Sequence, residues 1–181
     1  MLARLVATAL VVLAVATSAG AAEQKENLQV FRDVQRQVLQ YPHFTIFDSV
    51  SAQVDGGTVT LVGKVTMPYK KNDLERRVAK LPSVERIVNK IDVLPVSQFD
   101  DDLRFRIARA IYSNPNFRPF ASMVNPPIHI IVEHGRVTLE GVVNSQVDRM
   151  LARSIAANFL AFEVKNELKT EAEVKAELEK L

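Results

Sequence analysis

The chain has 181 residues, 48% of them hydrophobic, with no cysteine, no tryptophan and a formal net charge of +2. That supports packed cores and exceeds the length of one minimal module. Without cysteine, disulfides, thiol chemistry and Cys-based metal sites are excluded, and the small net charge argues against bulk electrostatic binding of nucleic acid.

Residues 1–22 read as a signal peptide. Arg4 supplies a weak positive start, Leu5 to Ala16 an apolar core, and Ala19-Gly20-Ala21 the small residues before a cleavage expected after Ala21 or Ala22. The alternative is an uncleaved anchor, but the apolar run is short beside the roughly 20 residues of a membrane span. The mature chain is therefore expected in the periplasm, and with no cysteine after the leader no lipidated anchor is expected.

The mature chain opens with a helix, read from Leu28, Phe31, Val34, Val38 and Leu39 at helical spacing and stopped by Pro42. Val50, Ala52 and Val54 alternate as a half-buried strand, Asp55-Gly56-Gly57 signals a hairpin turn, and Val59, Leu61, Gly63 and Val65 form the return strand. Pro68 suits the first turn of a second helix with inner face Leu74, Val78 and Leu81. A last strand runs through Ile87, Ile91 and Val93.

After a short linker, residues 95–100, the series repeats. Asp100 to Asp102 precede a helix carrying Leu103, Ile107 and Ile111. Ile128, Ile130 and Val132 lead through Glu133-His134-Gly135 into Val137, Leu139 and Val143. Ser145 to Asp148 resemble a capping box, the next helix turns Val147, Leu151 and Ile155 inward, and Val164 and Leu168 lie on the last strand. Gly57-Thr58-Val59-Thr60-Leu61-Val62-Gly63 returns as Gly135-Arg136-Val137-Thr138-Leu139-Glu140-Gly141, and Ile87-Val88-Asn89-Lys90-Ile91 as Val164-Lys165-Asn166-Glu167-Leu168. Two copies are too few for a solenoid. The expected fold class is α+β: two tandem α-β-β-α-β modules, residues 28–94 and 101–170, each a three-stranded sheet covered by two helices. Residues 171–181 form a short C-terminal helical tail with a Val174, Leu178, Leu181 stripe, too short to stand alone.

The pattern Gly-x-Val-x-Leu-x-Gly, a helix, then Val-x-x-Ile-x-Asn-x-Ile resembles the BON domain family (bacterial OsmY and nodulation). Copy one carries Gly57, Val59, Leu61, Gly63, Val84, Ile87, Asn89 and Ile91; copy two carries Gly135, Val137, Leu139, Gly141, Val164, Asn166 and Leu168. The resemblance covers nearly the whole mature chain. Copy one departs where the family often has glycine before the last strand, with Ser83; copy two has Leu160 there and Ala161 in place of the following valine. The resemblance implies periplasmic or envelope-associated proteins without known catalysis, some proposed to bind anionic phospholipid, others tied to osmotic or envelope stress or chaperone-like activity.

The residues offer little chemistry. Gly56-Gly57 sits between strands and reads as a turn, not a phosphate cradle. His43, His129 and His134 lack the converging ligands of a zinc site, and Asp100-Asp101-Asp102 lacks the spaced oxygens of a calcium loop and suits a helix start. With no nucleophile–base arrangement, no enzyme, cofactor or metal is expected. Asn89 and Asn166 share strand parity with apolar neighbours, so each is expected to be buried and hydrogen-bonded within its own module.

Two surfaces remain. Lys64 to Lys90 holds eight basic residues against three acids, including Lys70, Lys71, Arg76 and Arg77 beside Tyr69. It is either a solvated helix face or a contact for anionic headgroups. The other is the loop from Arg118 to Pro127, which puts Phe120 and Met123 in a proline-punctuated segment that either folds back or touches a partner. The expected function is envelope maintenance by association with anionic phospholipid or the membrane surface, with no nucleic acid partner; the alternative is a soluble periplasmic chaperone-like or protein-interaction factor.

Overall fold

The structure, a computed structural model, describes residues 23–178; the expected leader and Leu181 lie outside them. Helix α1 covers residues 23–39 and turns Val30, Val34 and Val38 into the core. This corrects the expected inner face: Leu28 and Phe31 are only half-buried on a neighbouring stripe, and Leu39 is exposed. Five apolar positions span more than one helix face, and the stripe spaced by four residues won the core.

β1 (Ser49–Asp55) and β2 (Thr58–Val65) pair antiparallel, Val50 opposite Gly63 and Val54 opposite Val59. The turn uses positive φ at Gly56 and Gly57. α2 (Pro68–Val78) starts on its proline and buries Lys70, Leu74 and Val78. It leads to β3 (Arg86–Val93), parallel to β2. The sheet order is β1-β2-β3.

α3 (Gln98–Ser113) begins inside the segment expected as linker, and Ser97 Oγ caps it by accepting the Asp100 N–H at 3.2 Å. A 3-10 turn over Arg118–Ser122 precedes β4 (Ile128–Glu133) and β5 (Arg136–Val143), an antiparallel pair. α4 (Gln146–Ala157) is capped by Ser145, as the box predicts. Its buried residues are Ala152 and Ala156, while Val147, expected inward, is 70% exposed. The last strand is split into β6 (Glu163–Asn166) and β7 (Lys169–Thr170), both parallel to β5. α5 (Glu171–Leu178) closes the described chain and half-buries Val174. The fold is α+β, with two small sheets and one apolar core under each.

Gly63 and Gly141 show why the repeat keeps glycine there. Their φ values are +138° and +115°. A Cβ would lie 2.1 Å from the Ser49 carbonyl oxygen in the first module and 1.9 Å from that of Pro127 in the second. The turn into the last strand keeps one anchor in both copies, the Glu85 N–H donating to the Gly57 carbonyl and the Phe162 N–H to the Gly135 carbonyl, both at 2.9 Å. It is built differently beside that anchor: the Val84 N–H donates to the Leu81 carbonyl, whereas the Ala161 N–H donates to the Phe159 carbonyl.

The modules are not beads on a string. Ile46 and Phe47, from the loop between α1 and β1, pack against the second module's core. The Ile130 N–H of edge strand β4 donates to the Ile46 carbonyl at 2.7 Å. Ile131, on the face of β4 opposite the core residues Ile130 and Val132, is only 3% exposed, so that face is covered as well.

Candidate functional site

The basic helix does not present the expected patch. Lys70 lies four residues before Leu74 on the buried stripe and is 4% exposed. Its ammonium donates to Asp48 Oδ2 and Thr66 Oγ1, both at 2.7 Å. Asp48 is fully buried. Its Oδ2 also accepts the Thr45 N–H and hydroxyl, and its Oδ1 accepts the Thr66 N–H at 2.8 Å and hydroxyl at 2.9 Å. Burial alone would push the Asp48 carboxyl up, but the bonds from Lys70, Thr66 and Thr45 outweigh it and hold the group below the usual range. Lys70 is thus withdrawn from the surface, a correction forced by the buried carboxylate at the start of β1.

Arg77 is also committed internally. Its Nε donates to the Gln37 carbonyl at 3.1 Å, its guanidinium reaches the Gln40 carbonyl at 3.4 Å, and it lies 5.7 Å from the Tyr41 ring centroid. It stabilises the α1 C-terminus, where carbonyls lack helical partners and a cation is favoured. Arg76 is exposed and paired with Asp73, whose other oxygen accepts the Tyr41 hydroxyl at 2.6 Å. Tyr69 is 48% exposed, its ring edge-on to His43, and Lys71 is half-buried.

In the second module's loop, Phe120 folds back. It stacks on the buried Phe117 at 6.4 Å and packs against the core. Arg118 and Met123 remain exposed, and so does Val124 at 95%. The Asn125 side-chain amide donates to the Leu39 carbonyl at 3.0 Å. The α1 C-terminus is therefore gripped by Arg77 from its own module and by Asn125 from the other, so the basic helix and the loop adjoin there.

Asn89 and Asn166 are half-buried and play the same role twice. Asn89 Nδ2 donates to the Lys71 carbonyl at 3.2 Å and to Glu75, while its Oδ1 accepts the Ile91 N–H. Asn166 Nδ2 donates to the Arg149 carbonyl at 2.9 Å, and its Oδ1 accepts the Leu168 N–H. Each ties the second helix of its module to the last strand. Replacing either with Ala is expected to cost about 1–3 kcal/mol, the penalty of a buried carbonyl and N–H left without partners; urea unfolding of each variant measures it.

Asp100 and Asp101 lie in the first turn of α3, as expected of a helix start, and Asp100 has a second role. Its carboxylate, 1% exposed, reaches across the module and accepts the His134 N–H at 2.9 Å and the Gly135 N–H at 2.7 Å. It pins the β4–β5 turn. The guanidinium of Arg104, one turn along, donates to the Val132 carbonyl and pairs with Asp101. Among the described residues no group of three or more His, Asp or Glu converges as a metal site, and no helix is long and apolar enough to cross a membrane.

Between the modules runs a groove of about 1220 Å³. One wall is the half-buried stripe of α1, with Leu28 and Phe31, beside Ser51 to Val54 of β1. The other is built from Glu140 to Val142 of β5, the β7 segment and Val174 of α5. The sequence signal for it was the surplus of apolar residues on α1. The seam beside it holds His129, whose Nδ1 lies 2.6 Å from the Asp48 carbonyl oxygen. Burial holds the His129 imidazole below its ordinary range, against opposing effects of Asp48, Glu140 and Thr45.

Compared with known families, the chain matches the BON domain model twice, over residues 29–95 and 99–172. The chain belongs to the BON domain family. Membership puts these two BON modules among envelope-associated, generally non-enzymatic proteins. Among curated proteins none matches. Of solved structures, the C-terminal domain of CdsD, the structural protein of the Type III secretion system of Chlamydia trachomatis, is 18% identical. That match covers 82% of this chain and 68% of that one, with a TM-score of 0.32. A second CdsD structure is 14% identical over 83% of this chain and 97% of that one, with a TM-score of 0.28. At such scores the likeness carries no structural weight for the BON modules.

Proposed function

We propose that this tandem BON protein associates with anionic phospholipid at a membrane surface in envelope maintenance or osmotic stress, without catalysis. The observation behind this reading is the junction at the α1 C-terminus, where the loop and α2 meet. There Lys71, Arg76 and Arg118 supply charge, and Tyr69, Met123 and Val124 supply exposed apolar and amphipathic side chains. Lys70, Arg77 and Phe120 support this surface from inside.

Each cation near an anionic leaflet is worth about 1 kcal/mol, roughly a fivefold change in partitioning. Lys71→Glu with Arg76→Glu is therefore expected to lower co-sedimentation with phosphatidylglycerol vesicles strongly. Binding should weaken as salt rises, because attraction is screened over about 8 Å at physiological ionic strength. Met123→Ala with Val124→Ala should remove a salt-resistant remainder. Charge reversal without effect, or equal binding to zwitterionic vesicles, overturns the reading.

A further inference from the structure

We propose that the groove between the modules binds an extended cationic peptide by strand addition to β1. β1 is an edge strand of its sheet, paired only with β2. Such a strand directs alternate N–H and C=O groups away from its partner. For residues 49–55 those outward groups have no backbone partner among the described residues. Consecutive β1 residues, Ser51 through Val54, line the groove, so it runs along the strand edge and not over one face.

The floor facing that edge is apolar. Leu28 and Phe31 of α1 stand on one side, and Val142, Leu168 and Val174 on the other. A peptide pairing with β1 would turn alternate side chains onto this floor, the arrangement by which strand addition gains specificity. The rim is acidic. Glu23, Glu140, Glu167 and Glu177 line it against Arg149 and Lys169. Arg149 is held by Glu173 at 3.1 Å, while Glu177 is matched by Lys169 at 2.6 Å and Glu167 by Lys165, so the surplus acid of the rim is carried by Glu23 and Glu140. This rim repels an anionic headgroup and attracts lysine or arginine side chains, opposite in sign to the Lys64–Lys90 segment. The site is independent of the lipid reading and can stand if that reading fails.

The test uses the mature full chain and a short fluorescent peptide alternating valine and lysine, followed by anisotropy. The peptide is expected to bind, more weakly at higher salt. Methylating alternate peptide nitrogens removes donors without touching the protein and should weaken binding about tenfold or more, the loss of one or two net hydrogen bonds. Glu140→Gln with Glu177→Gln should weaken it as well, while Lys71→Glu with Arg76→Glu should not. Amide resonances of residues 51–54 should shift on binding. Equal binding of the methylated peptide or of an aspartate-for-lysine peptide overturns the proposal, and so do unmoved amide resonances at residues 51–54.

Discussion

Lys70→Met is expected to destabilise the protein by about 3–5 kcal/mol, the cost of stripping one partner from a buried ion pair. The remaining carboxylate of Asp48 is fully enclosed, and the Thr45 and Thr66 donors would hold it without a countercharge. The loss should appear as a lower urea midpoint. Variants of exposed Arg76 should unfold near the wild-type midpoint, since surface ion pairs contribute only about 0–1 kcal/mol. A wild-type midpoint for Lys70→Met would place Lys70 back on the surface. The same junction sets the acid response. Asp48 titrates below its ordinary 3.8 when folded, so its stabilisation is complete above that value and lost as pH falls through the lower folded pKa. His129 titrates below 6.5 when folded; the unfolded chain takes up its proton first, so stability declines as pH falls below 6.5. Thermal unfolding should show an early decline below pH 6.5, absent in His129→Gln, and a further one in the carboxylate range.

Gly141→Ala and Gly63→Ala are each expected to cost about 3 kcal/mol or more. Alanine resists the positive φ at both sites, and the added methyl would meet a backbone carbonyl that cannot rotate away. Gly56→Ala is the matched control, with positive φ but nothing within 4 Å; it should lose only about 1–2 kcal/mol. Equal midpoints for Gly56→Ala and Gly141→Ala would show that close approach of the strands contributes nothing.

The repeat itself made the fold legible. Alternation in β1 and β2, the Gly56-Gly57 turn and the paired Asn89 and Asn166 are local signals, and tertiary packing did not override them. Lys70 was legible in part: the α2 stripe of Val78 and Leu74, continued back four residues, lands on it. Its partner Asp48 sits beyond a whole hairpin, and no local rule joins the two. Asp100 was legible in part for the same reason: its place in a first helical turn is a local signal, while its grip on the β4–β5 turn is not. The groove was legible only through the apolar surplus on α1, because its second wall needs the relative placement of two modules, and a four-residue connection from Leu94 to Ser97 does not encode an angle.

β4 is an edge strand bearing Ile128, Ile130, Ile131 and Val132, an aggregation hazard if left open. The segment carrying Ile46 blunts that edge, and it belongs to the half of the polypeptide that emerges first. In vectorial synthesis, leading domains generally fold before trailing ones. The guard is therefore in place before the strand it guards exists. The order of the two copies along the chain is then not interchangeable: with the modules transposed, the isoleucine-rich edge would be born naked and wait for its cover.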